Sequence, residues 1–189
     1  MAFEVEPGFV TQYNLIQRLG ARYHRYSGRS YAGPTPETYY ARVKTLRLGD
    51  AKVHDVVANL WTGEPGVANF AGNVGRSILR QFNVTFDAMR GAMYLEKNAN
   101  WGKPVIFNRA GIVVDPVEGG QKVMTVLPGG PAESAGIAVG DLITRIDGCP
   151  PADDINDPAF LQAVGTRVAL TVKRGDALRD VQVTLKELL

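Results

Sequence analysis

Few side chains in this 189-residue chain could do covalent chemistry, and they form no catalytic pattern. Two histidines and one cysteine are too few ligands for a zinc site, and no phosphate-binding glycine loop is followed by Lys-Ser/Thr. His54 and Asp55 are neighbours in a predicted strand, so their side chains point to opposite faces. Ser77 falls inside a predicted helix and not on the strained turn that exposes a serine nucleophile. We therefore expect no catalytic residue, no metal site and no cofactor.

The elements that would position any other site are clearest between residues 123 and 148. Alternating apolar residues predict a half-buried strand, which glycines and prolines then break. Pro131 can begin a helix because the first helical turn needs no backbone N–H, and Gly136 can end that helix in the left-handed conformation. A second strand follows and reaches a hairpin signal at Asp147-Gly148. The pattern predicts a compact β-rich module.

This module resembles the middle of a bacterial PDZ domain, with its glycine-proline-alanine turn, alanine-glycine helix end and glycine-aspartate strand start. The similarity extends over about residues 107–188. Residues 158–164 resemble the helix beside the peptide groove, and residues 167–174 and 181–185 resemble the closing strands. The resemblance implies a β-sandwich or barrel with two short helices that binds the C-termini of peptides or proteins.

PDZ domains hold an extended peptide as an added strand on a sheet edge. The resemblance implies a loop, a receiving strand that Pro116 ends, and a groove helix; the candidate residues are Arg109, Ala110, Gly111, Ile112, Val113, Val114, Phe160, Leu161 and Val164. Backbone N–H groups at Ala110 and Gly111 would take the peptide carboxylate, and small residues there allow close approach. Arg109 either adds charge or is an ordinary solvated arginine. Because apolar helical residues more often face the core, we expect at most two of the three groove-helix residues to face the groove.

The first hundred residues also predict mainly β structure. A hairpin is expected over residues 40–60, a short helix over 76–82, and strands over 83–87 and 92–96. This order resembles the C-terminal part of a retropepsin-like aspartic protease subunit. The two resemblances together imply a mainly β chain, with a partial retropepsin-like β-barrel at 1–98, a linker at 99–106 and a PDZ domain at 107–189.

Catalysis by an aspartic protease requires two nearby aspartates that share one proton. Each retropepsin-like subunit supplies one of them from an Asp-Thr/Ser-Gly turn, and this tripeptide is absent here. We therefore expect the chain itself to be inactive. The favoured interpretation is a fragment of an aspartic endopeptidase whose PDZ domain captures substrate tails. The alternative is a non-catalytic scaffold or adaptor with a degenerate protease-like domain. Because retropepsin-like subunits pair, a homodimer remains open.

Composition excludes several other classes of partner. The chain is 45% apolar and 21% charged, with a net charge of +2, and no apolar run approaches the length of a membrane span, so we expect no membrane insertion. Arginines and tyrosines between residues 18 and 31 follow no recognised nucleic-acid module, so we expect no nucleic-acid binding. The first residues lack a signal peptide's basic start and apolar core. They leave the compartment unknown, although exported bacterial proteins often carry PDZ domains, which favours a periplasmic or exported parent protein.

Overall fold

The computed structural model describes residues 3–24, 29–30, 33–34, 38–64, 70–153 and 157–189. The chain divides into two compact units. The first comprises Met1–Tyr23 and Pro36–Ile106 with Leu189, and the second comprises His24–Thr35 and Phe107–Leu188. Within the stretch 18–31, rich in arginine and tyrosine, residues 25–28 and 31 lie outside the described residues. In the described ranges, no helix is long and apolar enough to cross a membrane.

Short helices and strands follow one another up to residue 97. In chain order they are β1 (Phe3–Val5), α1 (Pro7–Gln12), α2 (Leu15–Arg18), β2 (Arg22–His24), β3 (Arg29–Ser30), β4 (Gly33–Pro34), β5 (Thr38–Leu48), β6 (Ala51–Trp61), β7 (Gly72–Val74), α3 (Arg76–Leu79), β8 (Phe82–Asp87) and β9 (Ala92–Lys97). A five-stranded sheet has the order β2-β5-β6-β1-β7. The predicted hairpin over residues 40–60 is confirmed as β5 and β6, which turn at Gly49 with φ of 57°.

Strand β6 lies near the middle of this sheet and explains its core. It pairs antiparallel with β5 and parallel with β1, so both of its edges are used. Residues 56–60 of β6 are all buried, as expected for a strand covered on both faces. The residues that pack together around it are Val5, Val10, Ala41, Ala58 and Leu60.

The described strands do not form the partial retropepsin-like barrel that was expected. The hairpin predicted at residues 83–96 is present as β8 and β9, but these two strands form a separate two-stranded sheet and do not close the five-stranded one. The hairpin leaves large apolar side chains such as Phe86 and Met89 exposed. The local patterns identified the elements correctly, but they do not specify which strands pair across the fold.

The second unit is organised around one antiparallel sheet. Its elements after residue 107 are β10 (Ile112–Val117), β11 (Gly120–Val126), α4 (Pro131–Ser134), β12 (Leu142–Ile146), a 3₁₀-helix (Pro158–Leu161), β13 (Arg167–Arg174) and β14 (Ala177–Thr184). The strand order is β10-β11-β12-β13-β14. The predicted turn of helix after residue 130 is confirmed as α4, with Pro131 in its first turn and Gly136 following at φ of 76°. The sheet and helices enclose one apolar core, which includes Ile112, Val114, Val123, Ile143, Phe160, Val168, Leu170 and Val183.

Strand β10 continues through Pro116, which was expected to end it. Pro116 pairs with Gln121 of β11 and is exposed. Proline has no backbone N–H and is tolerated in edge strands, where the missing donor can lie on the unpaired side. Since β10 is the first strand of the sheet order, the continuation fits its edge position.

The expected groove helix over residues 158–164 is a single 3₁₀ turn. The Asp157 side chain accepts a hydrogen bond from Ala159 N at 2.9 Å, and Pro158 occupies the first turn, so the start is well specified. The turn stops at Gln162, whose backbone is extended. Gln162 O instead accepts a hydrogen bond from Arg109 at 2.8 Å, a tertiary contact that the local pattern did not reveal.

Candidate peptide-binding site

Arg109 braces the loop that precedes β10. Its backbone N–H donates to Phe160 O at 2.9 Å, and its carbonyl accepts from Lys186 N at 3.1 Å. Its guanidinium donates to Gln162 O at 2.8 Å and forms an ion pair with Glu187 at 3.0 Å. The arginine therefore joins the loop to the 3₁₀-helix and to the segment after β14, and its charge is already matched by a carboxylate.

The next two residues of the loop are held through their carbonyl groups. Ala110 O accepts from Ala132 N at 2.9 Å, and Gly111 O accepts from Leu127 N at 2.8 Å. Gly111 has φ of 74°, a conformation that favours glycine. A Cβ at this position would lie 3.3 Å from Leu188 Cδ1, so the Leu188 side chain would have to shift slightly to accept it.

Asn108 occupies the two backbone donors that were expected to receive a peptide carboxylate. Its Oδ1 accepts from Ala110 N at 3.0 Å and from Gly111 N at 3.1 Å. Ala110 is fully buried and Gly111 is buried, whereas Asn108 is half-buried. Sequence reasoning missed this residue, although an asparagine two residues before a glycine-containing turn is typical of such a side-chain cap.

Strand β10 presents its backbone at the edge of the sheet. Ile112 and Val114 are 1% and 0% exposed and pack in the core, whereas Val113 and Asp115 are half-buried. The alternation is that of a strand with one face on the core. The side chains of Ile112 and Val114 are therefore used by the fold, and what these residues can offer a ligand is their backbone.

The three candidates on the groove-helix segment differ in exposure. Phe160 is fully buried in the core, Leu161 is half-buried and Val164 is 55% exposed. Phe160 O is also used by Arg109 N. Of these three candidates, Leu161 and Val164 thus have side chains that are accessible at the surface.

A buried polar pair that sequence reasoning missed positions the 3₁₀-helix. Asp157 is 5% exposed; its Oδ2 accepts from Ala152 N at 2.9 Å and from Gln121 Nε2 at 3.4 Å. Gln121 is fully buried and also donates to Ala152 O at 2.8 Å. The pair ties β11 to the segment before the 3₁₀-helix, and thereby fixes where Phe160 enters the core.

A second charged cluster holds the end of α4. Asp141 is 1% exposed, accepts from Ala138 N at 2.9 Å and bonds the Arg174 guanidinium at 2.6 Å, with Arg179 at 3.5 Å. Burial acts to raise the pKa of Asp141, but the hydrogen bond and charge of Arg174, together with Ala138 N–H and Arg179, outweigh it and hold that pKa below its ordinary value. Asp141 is therefore a structural carboxylate that is ionised at neutral pH.

A cavity of about 610 Å³ lies elsewhere in the second unit and is lined by residues 116–117, 119–120, 144–145 and 150–153. None of the residues expected to bind peptide lines it. Across the described parts of the chain, no group of three or more His, Cys, Asp or Glu could hold a metal ion.

Comparison with known proteins identifies the second unit. Residues 122–174 match the PDZ domain family. The expectation of a PDZ domain in this chain is confirmed. The chain is also 32% identical over 112 residues to HhoA of Synechocystis sp., whose name assigns it to the serine proteases; the match covers 58% of this chain and 25% of HhoA. The chain thus spans about a quarter of that curated relative.

Solved structures of two proteases, the first of which is HtrA-type, are also similar to this chain. AlgW with a decapeptide is 18% identical, with a TM-score of 0.44, and the alignment covers 90% of this chain and 62% of AlgW. The serine endoprotease from Yersinia pestis is 21% identical, with a TM-score of 0.43 and coverage of 90% and 63%.

The aspartic protease assignment is wrong. The curated relative is named as a serine protease, not a retropepsin-like aspartic protease, and that finding overturns the assignment made for residues 3–98. The resemblance depended on a glycine turn, a short helix and a hairpin in one order, which many β-rich folds share. It lacked the Asp-Thr/Ser-Gly motif that carries the family's chemistry.

Proposed function

We propose that the second unit binds the C-terminal segment of peptides or proteins by adding it as a strand to β10. The observation that carries this proposal is the position of β10 at the sheet edge, directly after a tightly braced loop. In such a mode, main-chain hydrogen bonds supply affinity and neighbouring side chains supply selectivity. The match to the PDZ domain family supports the same conclusion.

The loop would take the ligand's carboxylate through its backbone and not through Arg109. The Arg109 guanidinium is paired with Glu187 and bonded to Gln162 O, so little of its charge is left for a ligand. The N–H groups of Ala110 and Gly111 are backbone donors in a fixed turn, a geometry suited to anions. Leu161 and Val164 would contact the ligand's apolar side chains.

The proposed activity of this chain is binding, without peptide-bond cleavage. Its similarity to a protein named as a serine protease supports a role beside such an enzyme, in which the PDZ domain captures protein tails. An adaptor role in a non-catalytic protein is the second candidate, since the residues that carry the proposed site involve no nucleophile. Both roles require the same peptide contact.

Peptide titration tests the proposal. Fluorescein-labelled decapeptides ending in Val, Leu, Phe or Ala should show saturable binding by anisotropy, and amidation of the C-terminus should weaken it. In ¹⁵N spectra the shifts should concentrate at residues 110–115 of the loop and β10. The opposite sheet edge, β14, is an internal control. Shifts confined to β14, or an absence of saturable binding for every peptide, would overturn the proposal.

A further inference from the structure

Asn108 has the contacts that a ligand carboxylate would make. A single oxygen, Oδ1, accepts from two adjacent backbone N–H groups, Ala110 N at 3.0 Å and Gly111 N at 3.1 Å. These are the donors that the proposed function assigns to a peptide carboxylate. The side-chain amide therefore stands where one carboxylate oxygen would stand.

The backbone of this loop has little freedom to present other donors. Arg109 is fixed through both its N–H and its carbonyl, and the carbonyls of Ala110 and Gly111 accept hydrogen bonds from Ala132 and Leu127. The Asn108 side chain, in contrast, is joined to the loop by these two hydrogen bonds and can leave by rotation about its own side-chain torsions. The Asn108 side chain is therefore the part of the loop that a ligand can displace.

The two donor residues are buried, whereas the residue that caps them is partly accessible. Ala110 is 0% exposed and Gly111 is buried, while Asn108 is half-buried. Since the amide of Asn108 covers both donors, a carboxylate reaches them by way of the place that this amide occupies.

We propose that Asn108 is a built-in competitor that sets the affinity of this site for carboxylates. The inference rests on the proposed function and adds to it a residue that sets the affinity for free C-termini. A free peptide carboxylate displaces the Asn108 amide, because a charged acceptor makes stronger hydrogen bonds than a neutral one. A neutral C-terminal amide, or a segment inside a longer chain, gains less from the exchange. The residue thus lowers the affinity of the site for free C-termini without removing their advantage over neutral ends.

Two substitutions separate competition from a purely structural role. Asn108→Ala removes the competitor and should raise the affinity for free-acid decapeptides by about fivefold to tenfold, with a much smaller change for the amidated forms. Asn108→Asp keeps the shape but places a carboxylate on the same donors. It should weaken binding of the free acids by about tenfold or more and abolish their advantage over the amides.

The measurement, for each decapeptide ending in Val, Leu, Phe or Ala, is the dissociation constant of the amidated form divided by that of the free acid, taken for wild type and both variants. We expect the ratio to be largest in Asn108→Ala and close to one in Asn108→Asp, with the Ala110 and Gly111 amide shifts following it. An equal ratio in all three proteins overturns the role of Asn108 while leaving peptide binding intact. Weaker free-acid binding by a folded Asn108→Ala variant also overturns it. If Asn108→Ala does not fold, the ratio in Asn108→Asp decides. Failure of every peptide to bind every variant overturns the proposed function itself.

Discussion

Arg109 and Glu187 form an ion pair, with 3.0 Å between Nη2 and Oε2, that ties the loop before β10 to the segment after β14. Glu187 is 42% exposed, so water screens the pair and its contribution to stability is small. The hydrogen bond from the same guanidinium to Gln162 O joins the loop to the 3₁₀-helix as well. The pair's main effect is to hold the orientation of the loop.

Replacement of Arg109 by alanine should weaken the binding of free-acid and amidated peptides alike. The substitution removes the contacts of Arg109 with Gln162 O and Glu187, which hold the loop for either form of peptide. The free energy of unfolding of the second unit should fall by about 1 kcal/mol. Dissociation constants by anisotropy check the result. Glu187→Gln is the matched control, because it removes the ion pair and leaves the bond to Gln162 O. A loss restricted to free-acid peptides would instead mean that Arg109 contacts the carboxylate directly.

Gly111→Ala should destabilise the second unit more than Gly129→Ala. Both glycines have similar positive φ, 74° and 71°, and each alanine should cost about 1–2 kcal/mol for that conformation. A Cβ at 111 also meets Leu188 Cδ1 at 3.3 Å, whereas nothing lies within 4 Å of a Cβ at 129. Hydrogen exchange of core amides in β13 measures both variants. Equal costs would show that Leu188 moves aside freely.

Asp141→Asn should lower the free energy of unfolding by about 2 kcal/mol at neutral pH, because charged hydrogen bonds to Arg174 and Ala138 are weakened. The pKa of Asp141 is depressed in the folded state, so its contribution is complete above the ordinary value of 3.8 and is lost as the pH falls from there toward the folded value. Urea unfolding at pH 7 and pH 3 should show the gap between wild type and variant narrowing. The exposed Asp180→Asn is the control and should change stability by less than about 0.5 kcal/mol. A gap that widens in acid would contradict the expectation.

Phe160→Ala and Val164→Ala should distinguish a side chain that stabilises the fold from one that contacts the peptide. Loss of the fully buried Phe160 side chain should cost about 3–5 kcal/mol. Removal of the exposed Val164 side chain should change stability by less than about 0.5 kcal/mol but weaken peptide binding. Hydrogen exchange and peptide anisotropy report the two effects separately. Unchanged peptide affinity in Val164→Ala would remove this residue from the site.

Local patterns predicted the strands, turns and α4 well because each of these depends on neighbouring residues. Pro131, Gly136 and the turn at Gly49 act within a few residues of their own positions. The PDZ domain was recognisable for the same reason, since its signals lie close together between residues 123 and 148.

Tertiary contacts explain what the patterns missed. The groove-helix segment stops at one turn because Gln162 O bonds Arg109, a residue 53 positions earlier in the chain. Gln121 and Asp157, 36 positions apart, meet only once β11 and the 3₁₀-helix are assembled. The prediction of a retropepsin-like barrel is wrong for a related reason. The local patterns predict β8 and β9 correctly, but the strands with which these two could pair depend on the whole first unit.

Pro116 limits the length of the β10 edge that an added chain can use. Four residues separate Gly111 from Pro116, which at about 3.3 Å each is about 13 Å of strand. A chain added beside β10 meets the braced loop at one end and a residue without a backbone donor at the other. The edge is therefore long enough to hold a short tail, and too short to template the unlimited sheet growth to which longer exposed edges are prone.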